Sequence, residues 1–499
     1  MFATVDKGRA AAITAKMMVN LPPIPVVKTE PWAHQVRGFW FLWHGLDIGD
    51  TAKGGMMLGM DMGTGKTKTV IDLINNADKI NTVLVTCPKA VVATWPEEME
   101  THCARPFRVI ALPKGPVKKR AAEATKAWGT QPEGCVTVYV INHEAVWREP
   151  FRTFVLKRQW DLLVVDECHR AKAPGGRLSK FLHTAGKRFR MRLGLTGTPM
   201  PRDHMDLFAQ ARFIDDTIYG TNYADFMGRY GWWKEIQTGK KDRFGRLIVA
   251  RKLTGVRNEE QLQGRLDSFC YRVMADDVLD LPPAVVMKRT CELDPKERRV
   301  YEDIKRKLVA EIDGGFVTAA NGLVKLLRLQ QATQGFVRDE CEVDHQVGTS
   351  KADCLRDVLM DLDNHEPVVV YCRFHSDLDQ VARVAEQLER GCLELSGRID
   401  QLEKFKQGGG PIIAVQIDSG GVGVDLSRAA YTVYFSPTYN MGAYEQSLRR
   451  TRRPSKHEHA TFFYYHLVAE NTIDGMIYAA LRGKKKIVDH VLAGIRGQK

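Results

Sequence analysis

At 499 residues the chain is too long for one ordinary hydrophobic core, and it is expected to fold as two or three domains. Its composition, 44% hydrophobic and 27% charged, is ordinary for a globular protein, and no apolar run reaches the roughly 18 residues that a bilayer-spanning helix needs. The net charge of +13 favours an anionic partner, nucleic acid first, and gives no reason to expect a membrane protein.

The N-terminus and the cysteines indicate a reducing compartment. The first residues, MFATVDKGRAAAITAKMM, lack the apolar stretch of a secretory signal peptide, so residues 1–21 are treated as an N-terminal segment. Of the ten cysteines, Cys87, Cys270 and Cys372 lie inside apolar runs and are interpreted as reduced packing residues. No CxxC pair occurs, which leaves a structural zinc site with little support. We expect a cytoplasmic protein.

A glycine-rich loop follows the first apolar run of the chain. GGMMLGM precedes DMGTGKTKT and the helical KTVIDLINNA, which is the strand, loop and helix order that a phosphate loop needs. Lys66 is expected to reach the β- and γ-phosphates and Thr67 to coordinate Mg²⁺, because a hard cation takes oxygen ligands. Met60 replaces the first glycine of the strict eight-residue pattern. The predicted loop consists of Gly63, Thr64, Gly65, Lys66 and Thr67.

An acidic pair ends a later strand, DLLVVDECHRAK. Its carboxylates are expected at the sheet edge that presents the phosphates. There Asp166 would hold Mg²⁺ through water, and Glu167 would orient and deprotonate the attacking water. The alternative is a strand that merely ends in solvated acids. Downstream, LGLTGTP adds Thr196 and Thr198, which are placed either to couple hydrolysis to motion or in an ordinary strand and turn.

Two sets of buried-strand runs indicate two doubly wound α/β lobes in tandem. The paired prolines of LDLPPAVV, Leu279–Val286, favour an extended crossing between them. We therefore predict a first lobe over 22–285, with a helical and hairpin insertion over about 200–280, and a second lobe over 286–499, with a helical protrusion over about 295–335. GWWKEIQTGKKDRFGRLIVARK is interpreted as a surface hairpin or basic loop, or as an unrelated small insertion. The first set is NTVLVTCP, CVTVYVIN, DLLVVDE and RLGLTGTP; the second is EPVVVYCRF, CLELSG, PIIAVQID, YTVYFSP and TFFYYHLV.

A basic cluster, EQSLRRTRRPSK, lies late in the chain. Arg450 and Arg453 are candidates for arginines that act on the γ-phosphate, a contribution that can raise turnover by roughly 10³ to 10⁵. If the second lobe supplies them, closure of the lobes is a catalytic switch. The rival interpretation is a solvated or nucleic-acid-binding face, since charge runs usually are solvated.

These strings together resemble the superfamily-two helicases, and most closely their Swi/Snf-type branch of double-stranded DNA translocases. The resemblance runs from about Pro31 to Leu492. It implies two tandem RecA-like lobes with helical elaborations around the inter-lobe cleft, and ATP and Mg²⁺ as cofactors. YRVMADDVLDLPP resembles the stretch before the inter-lobe crossing and favours this branch over others. The other strings are PWAHQVRGFWFL, DMGTGKT, CPKAVVATW, DECH, LTGTP, VVVYCRF, SGGVGVDLSRA and QSLRRTRRPSK.

The resemblance assigns nucleotide roles that spacing alone does not. It implies that Gln35 reads adenine and that Gly423 and Asp425 approach the nucleotide. Arg450 and Arg453 would be the two arginine fingers. The residues expected to couple hydrolysis to movement are Thr196, Thr198 and Gln446.

The same resemblance implies a nucleic-acid face. Lys89, with Pro88 and Trp95 beside it, is expected on that side of the first lobe. Phosphate contacts by basic residues are independent of base sequence and sensitive to salt, as a motor that releases and rebinds its track requires. For each residue the alternative is an ordinary surface position. The expected track contacts are Lys89, Arg373, Ser419 and Gly420.

The chain departs from the family pattern at four positions. Cys168 stands where alanine is usual and Arg452 where histidine is common, and Ser455 and Lys456 replace glycine and glutamine. These changes affect the motif around the arginines without removing Arg450 or Arg453. The tail, over about 472–492, resembles the closing brace helix of the branch, and its apolar spacing predicts plain packing.

The leading hypothesis is a compact bacterial or phage-type ATP-dependent DNA helicase or translocase, a monomeric motor active in replication, recombination or repair. An RNA-stimulated helicase and a nucleic-acid clamp regulated by nucleotide remain alternatives. The catalytic motifs are common to translocation, strand separation, annealing and branch migration, so they do not choose among these outcomes.

Overall fold

The computed structural model describes residues 21–48, 51–200, 203–241, 247–313, 319–339, 343–418, 424–452 and 459–483. Four predicted site residues lie outside these ranges: Ser419, Gly420, Gly423 and Arg453. Residues 1–20 and the tail beyond residue 483 also lie outside them. The chain divides into two compact units, Met1–Lys234 with Lys252–Leu279, and Glu235–Arg251 with Asp280–Lys499.

The strands of the first unit are mostly apolar, and TVLVTC, VTVYVIN and WDLLVVD among them are rich in valine, leucine and isoleucine, the composition of strands covered on both faces. Seven of them, within the described residues, form one parallel sheet in the order β3-β4-β2-β5-β6-β1-β9 once numbered along the chain. They are β1 (Gly54–Met60), β2 (Thr82–Cys87), β3 (Phe107–Leu112), β4 (Val136–Asn142), β5 (Trp160–Asp166), β6 (Phe189–Leu195) and β9 (Cys270–Val273). The intervening strands β7 (Gly231–Lys241) and β8 (Leu247–Val256) pair with each other in a separate two-stranded sheet.

Helices connect the parallel strands of the first unit, as crossover connections require. Three short 3₁₀ turns, within the described residues, lie at Lys89–Val91, Cys168–Ala171 and His204–Asp206. The helices are α1 (Ala33–Gly45), α2 (Lys66–Asn76), α3 (Thr94–His102), α4 (Val117–Trp128), α5 (His143–Val146), α6 (Phe151–Leu156), α7 (Arg177–Gly186), α8 (Leu207–Ile214), α9 (Tyr223–Tyr230), α10 (Glu259–Phe269) and α11 (Ala275–Val278).

The second unit repeats this architecture around a parallel sheet in the order β10-β17-β16-β13-β15-β14. Its strands are β10 (Ala284–Cys291), β13 (Val368–Cys372), β14 (Cys392–Leu395), β15 (Ile412–Gln416), β16 (Tyr431–Tyr434) and β17 (Phe462–Ala469), and a small antiparallel pair is formed by β11 (Phe336–Arg338) and β12 (Asp344–Gln346). Its helices are α12 (Pro295–Asp313), α13 (Ala319–Thr333), α14 (Ser350–Met360), α15 (His375–Gln387), α16 (Leu402–Lys406), α17 (Met441–Thr451) and α18 (Ile473–Arg482). The predicted class, two doubly wound α/β lobes, is confirmed.

The strands that sequence patterns did not predict lie at sheet edges. β3 and β9 are the two edges of the first sheet, and β10 is an edge of the second. An edge strand is covered less completely, so its apolar run is short or broken: β3 has only two buried residues and β10 has none. Ala284–Cys291 pairs with β17, and the longer segment of the second unit begins at Asp280, whereas the predicted second lobe begins at residue 286.

The three thiols singled out in the sequence pack as expected. No helix in the described ranges is long and apolar enough to cross a bilayer. Cys87, Cys270 and Cys372 are all buried in their sheets.

A buried ion pair fastens two helices of the second unit. Lys351 on α14 and Asp474 on α18 are 1% and 0% exposed at their side chains, with Nζ and Oδ2 2.5 Å apart. Thr333 at the end of α13 also donates to Asp474, at 3.2 Å. The pair joins segments 123 residues apart, so no local pattern reveals it.

Lys351→Met is expected to destabilise the second unit by about 3 to 5 kcal/mol, because it leaves the Asp474 carboxylate buried without its cation. Urea unfolding monitored by circular dichroism measures this. Arg306→Ala removes a cation from the exposed Asp303–Arg306 pair and serves as the control, with an expected change below about 1 kcal/mol. Equal unfolding midpoints for the two variants would contradict the account.

Candidate nucleotide-hydrolysis site

The phosphate loop of the first unit needs glycine at two positions. Gly63 and Gly65 have φ angles of +82° and +81°, in the left-handed region that side chains disfavour. A Cβ at Gly65 would also lie 2.1 Å from Nε2 of Gln35, whereas one at Gly63 would meet nothing within 4 Å. Glycine is therefore required at residue 65 both by the positive φ and by the nearby Gln35 side chain. At residue 63 only the positive φ requires it, and the space beside Gly63 is open.

Helix α1 supports this loop from beneath. The buried carbonyl of Thr64 accepts hydrogen bonds from His34 Nε2 at 2.8 Å and from Gln35 Nε2 at 3.1 Å. Gln35 Oε1 accepts from the Trp32 backbone N–H at 2.9 Å. Burial lowers the pKa of His34, which keeps the imidazole neutral. Gln35, predicted to read adenine, therefore uses both ends of its amide on the protein, and its role toward adenine stays a prediction.

Asp61 fastens the start of the loop to the stretch that ends the first unit. Its Oδ2 accepts from the Ala275 N–H at 2.9 Å, and its own N–H donates to the Val273 carbonyl at 2.9 Å. Ala275 lies within YRVMADDVLDLPP, the string that resembles the approach to the inter-lobe crossing. Sequence reasoning quoted Asp61 in the motif without giving it a role.

Lys66 lies in the first turn of α2 and points back at the loop. Its Nζ donates to the carbonyls of Met60 at 2.9 Å and Asp61 at 3.2 Å. Both acceptors are neutral carbonyls. A phosphate oxygen can take their place and form a charge-assisted hydrogen bond with Lys66. Thr67 follows it on the same turn and is half-buried.

The acidic pair lies beside Lys66. Asp166 and Glu167 are each 7% exposed, and Glu167 has a φ of +50°, an uncommon conformation for a residue with a side chain. Burial, reinforced by the neighbouring Glu167 carboxylate, raises the pKa of Asp166 to about 7, and the charge of Lys66 acts in the opposite direction. The structure therefore brings the predicted lysine and the predicted carboxylates into one electrostatic site.

One further side chain holds Asp166, and sequence reasoning missed its role. His143 contacts the Asp166 carbonyl through Nε2 at 2.8 Å and the Thr86 hydroxyl through Nδ1 at 3.0 Å, and burial lowers its pKa to about 4. Trp95 is 1% exposed and belongs to the core of the first unit, so its indole is not a surface contact. The side of the lobe on which its motif meets nucleic acid stays a prediction. Lys89 is exposed.

His169 links the acidic pair to the predicted coupling motif. Its Nδ1 lies 3.2 Å from Glu167 Oε2 and 3.0 Å from the Thr196 hydroxyl. That hydroxyl also accepts from the Thr198 N–H at 3.1 Å, and the Thr196 N–H donates to the β1 carbonyl of Leu58 at 3.0 Å. His169 therefore lies within 3.2 Å of Glu167 and is hydrogen-bonded to Thr196, which follows β6. The coupling role of these threonines stays a prediction.

In the second unit, Arg450 is buried in α17. It is 1% exposed, its Nη1 donates to the Val424 carbonyl at 3.3 Å, and its own carbonyl accepts from the Leu426 N–H at 3.1 Å. Asp425 accepts from the Ser427 N–H at 3.0 Å, which places it in the same turn. Gln446 is half-buried on α17. Their nucleotide roles stay predictions.

Arg452 departs from the family pattern and has a contact that accounts for arginine there. Its Nε donates to the Pro282 carbonyl at 2.6 Å, and Nη2 donates to the Leu281 carbonyl at 3.4 Å. Arg452 thus fastens the end of α17 to the first residues of the second unit.

Arg373, a predicted track contact, is half-buried among polar and aromatic groups of the second unit. Its guanidinium lies 4.7 Å from the centre of the Tyr439 ring and donates to Gln330 Oε1 at 3.3 Å. Its backbone N–H donates to Asp377, a buried carboxylate whose pKa burial raises to about 6. Its contact with a track stays a prediction.

The described residues contain no cluster of three or more His, Cys, Asp or Glu side chains that could hold a metal ion. A nucleotide-bound Mg²⁺ does not need such a cluster, since it takes one or two protein ligands and completes its shell with phosphate oxygens and water.

The chain matches two known protein families. The SNF2-related domain matches residues 34–335, and the helicase conserved C-terminal domain matches residues 350–455. The chain belongs to the SNF2-related family. It is accordingly a nucleic-acid-dependent ATPase of the ATP-dependent helicase or translocase type.

Relatives of this SNF2-related chain come from phage, bacteria and vertebrates. Protein p41 of Acyrthosiphon pisum secondary endosymbiont phage 1 is 25% identical over 462 residues, which cover 87% of this chain and 94% of p41. An uncharacterized ATP-dependent helicase of Mycoplasma genitalium is 21% identical, over 88% of this chain and 40% of its own length. The DNA repair and recombination protein RAD54-like of Gallus gallus is 21% identical, over 95% of this chain and 69% of its own length.

Among solved structures, the SWI2/SNF2 ATPase core of Sulfolobus solfataricus in complex with dsDNA is similar to this chain. The two are 19% identical, the match covers 95% of each chain, and the TM-score is 0.43.

His169→Ala is expected to lower kcat for ATP hydrolysis by about 10- to 100-fold while changing nucleotide affinity little, because it frees Glu167 and Thr196 from a shared position. Steady-state kinetics and binding of a fluorescent ATP analogue separate the two effects. Thr196→Val, which removes only the hydroxyl, should reproduce part of the loss. A His169→Ala enzyme with normal kcat would contradict the linking role.

Proposed function

We propose that this chain is an ATP-driven motor that moves along DNA in replication, recombination or repair. The observation that supports the proposal is that Lys66, hydrogen-bonded to the Met60 carbonyl at the end of β1, acts electrostatically on Asp166, which ends β5 and precedes Glu167. Family membership supplies the reaction class, and the geometry supports the site residues. DNA as the track and the biological process are the parts proposed.

The residues present fit Mg-ATP. The open surface at Gly63 gives phosphate oxygens access to backbone amides at the start of α2, the usual setting for an anion. The two carboxylates are buried side by side, Asp166 with a pKa that burial raises to about 7, and a divalent ion would stabilise their charge. When bound, Mg²⁺ neutralises phosphate charge; we assign Thr67 and Asp166 to hold it.

The side chains then divide the work. Lys66 exchanges the carbonyls of Met60 and Asp61 for phosphate oxygens. Glu167, held by its backbone and by His169, orients the attacking water and takes its proton. We assign Arg450 and Arg453 to the γ-phosphate and Gly423 and Asp425 to the nucleotide, as the resemblance implies.

DNA is the favoured track. The net charge of +13 suits a polyanion, and the names of two relatives include DNA: the RAD54-like DNA repair and recombination protein of Gallus gallus and the chromodomain-helicase-DNA-binding protein 1-like of Danio rerio. We assign Lys89, Arg373, Ser419 and Gly420 to contacts with the DNA backbone. Such contacts weaken steeply as salt rises.

ATP hydrolysis is expected to rise strongly with duplex DNA, more than with single strands or RNA of equal nucleotide content, and the stimulation should fall as salt rises. A coupled-enzyme assay with the three nucleic acids measures this, and strand displacement on forked and blunt duplexes shows whether movement separates strands. Glu167→Gln, which keeps size and loses the base, should lower kcat by about 100-fold or more and is the inactive control.

Two outcomes would contradict the proposal. If the rate of ATP hydrolysis were the same with and without DNA, hydrolysis would not be coupled to DNA binding. Stronger stimulation by RNA than by either form of DNA would favour an RNA-stimulated helicase instead.

A further inference from the structure

The base of the β7–β8 hairpin presents a tryptophan to solvent. Trp232 is 55% exposed, whereas the next residue, Trp233, is half-buried and packs with Leu253 against the core of the first unit. Successive residues of a strand point to opposite faces, so fixing Trp233 inward directs Trp232 outward. A single exposed apolar side chain is ordinary by itself, and the cations around this ring are what set it apart.

The backbone that carries Trp232 is held on both sides. Trp233 Nε1 donates to the Met227 carbonyl at 2.9 Å, and the Arg257 N–H donates to the Tyr230 carbonyl at 2.9 Å. The Thr254 hydroxyl donates to the carbonyl of Trp232 itself at 3.1 Å. A ligand that stacks on this ring therefore orders little of the protein, which lowers the entropic cost of binding.

The charge around Trp232 selects an anion. Residues 231–257 contain eight lysine or arginine residues and only two acidic residues. Arg257 Cζ lies 5.0 Å from the centre of the Trp232 ring, and Lys234 is exposed two residues along the strand. Glu235, exposed beside Lys234, has Arg251 3.8 Å away. A polyanion that also has flat apolar faces could stack on the Trp232 ring and pair with the cations around it.

Single-stranded nucleic acid has that chemistry. Its bases are free to stack on an aromatic side chain, whereas the bases of a duplex are already stacked on one another. Duplex DNA would use the cations alone and would place no base on the exposed part of the Trp232 ring. The ring therefore distinguishes a separated strand from an intact duplex.

We propose that Trp232 is a base-stacking contact for single-stranded DNA, with Arg257 and Lys234 at its phosphates. This deepens the proposed function, since it rests on DNA being the track and adds a site for a strand that has left the duplex. None of the three residues belongs to the nucleotide site around Lys66 and Asp166.

Trp232→Ala is expected to weaken binding of a fluorescein-labelled single-stranded DNA by about tenfold, within the range that stacking on one aromatic side chain contributes. Blunt duplex binding and duplex-stimulated ATP hydrolysis should stay at the wild-type level. Fluorescence anisotropy gives the dissociation constants. Trp232→Phe keeps a stacking face and should retain most of the affinity. Val249→Ala shortens another exposed apolar residue of the hairpin, 51% exposed, and should bind as wild type.

Three results would overturn the inference: equal single-strand binding by Trp232→Ala and Val249→Ala, equal weakening of single-strand and duplex binding, or a loss confined to RNA. Thermal unfolding of each variant shows whether the fold is intact. If the alanine variant unfolds, the single-strand affinity of Trp232→Phe still tests the inference. Failure here is distinct from failure of the proposed function. In the first case the wild type is still stimulated by DNA, and in the second it is not.

Discussion

The carbonyl oxygen of Thr64 is the atom on which the nucleotide site depends. It lies in the phosphate loop in a buried residue, where an unpaired carbonyl would cost about 1 to 3 kcal/mol. His34 and Gln35 each donate to it, so helix α1 and the loop hold one arrangement. The Gln35 amide then occupies the space where a Cβ of residue 65 would lie, which leaves glycine as the residue that fits.

Further contacts extend this arrangement through the first unit. Asp61 fastens the loop to Ala275, near the end of the unit, and Lys66 brings it to the acidic pair. His169 continues from Glu167 to Thr196 at the end of β6. Hydrogen bonds and charge interactions therefore link the loops that follow β1, β5 and β6, as the proposed coupling of hydrolysis to movement requires.

Sequence reasoning identified what is local or uniformly buried. The phosphate loop is a short contiguous motif, and the central strands are continuous apolar runs. Contacts made over distance were invisible to it: His34 bonds to a residue 30 positions away and Asp61 to one 214 positions away. Edge strands such as β10 were missed because partial exposure interrupts their apolar pattern. Trp95 packs inside the core, which its motif alone did not reveal.

The most direct test of the account is the affinity of Gln35→Ala for ATP and for GTP, measured by calorimetry. If Gln35 shapes the loop, both nucleotides should bind more weakly by the same factor, about tenfold for one buried hydrogen-bonded contact. Gln131→Ala, which removes another amide that donates to a backbone carbonyl, that of Asn81 at 3.2 Å, should change neither. A loss confined to ATP would show that Gln35 reads the base, and unchanged affinity for both nucleotides would contradict its role in the loop.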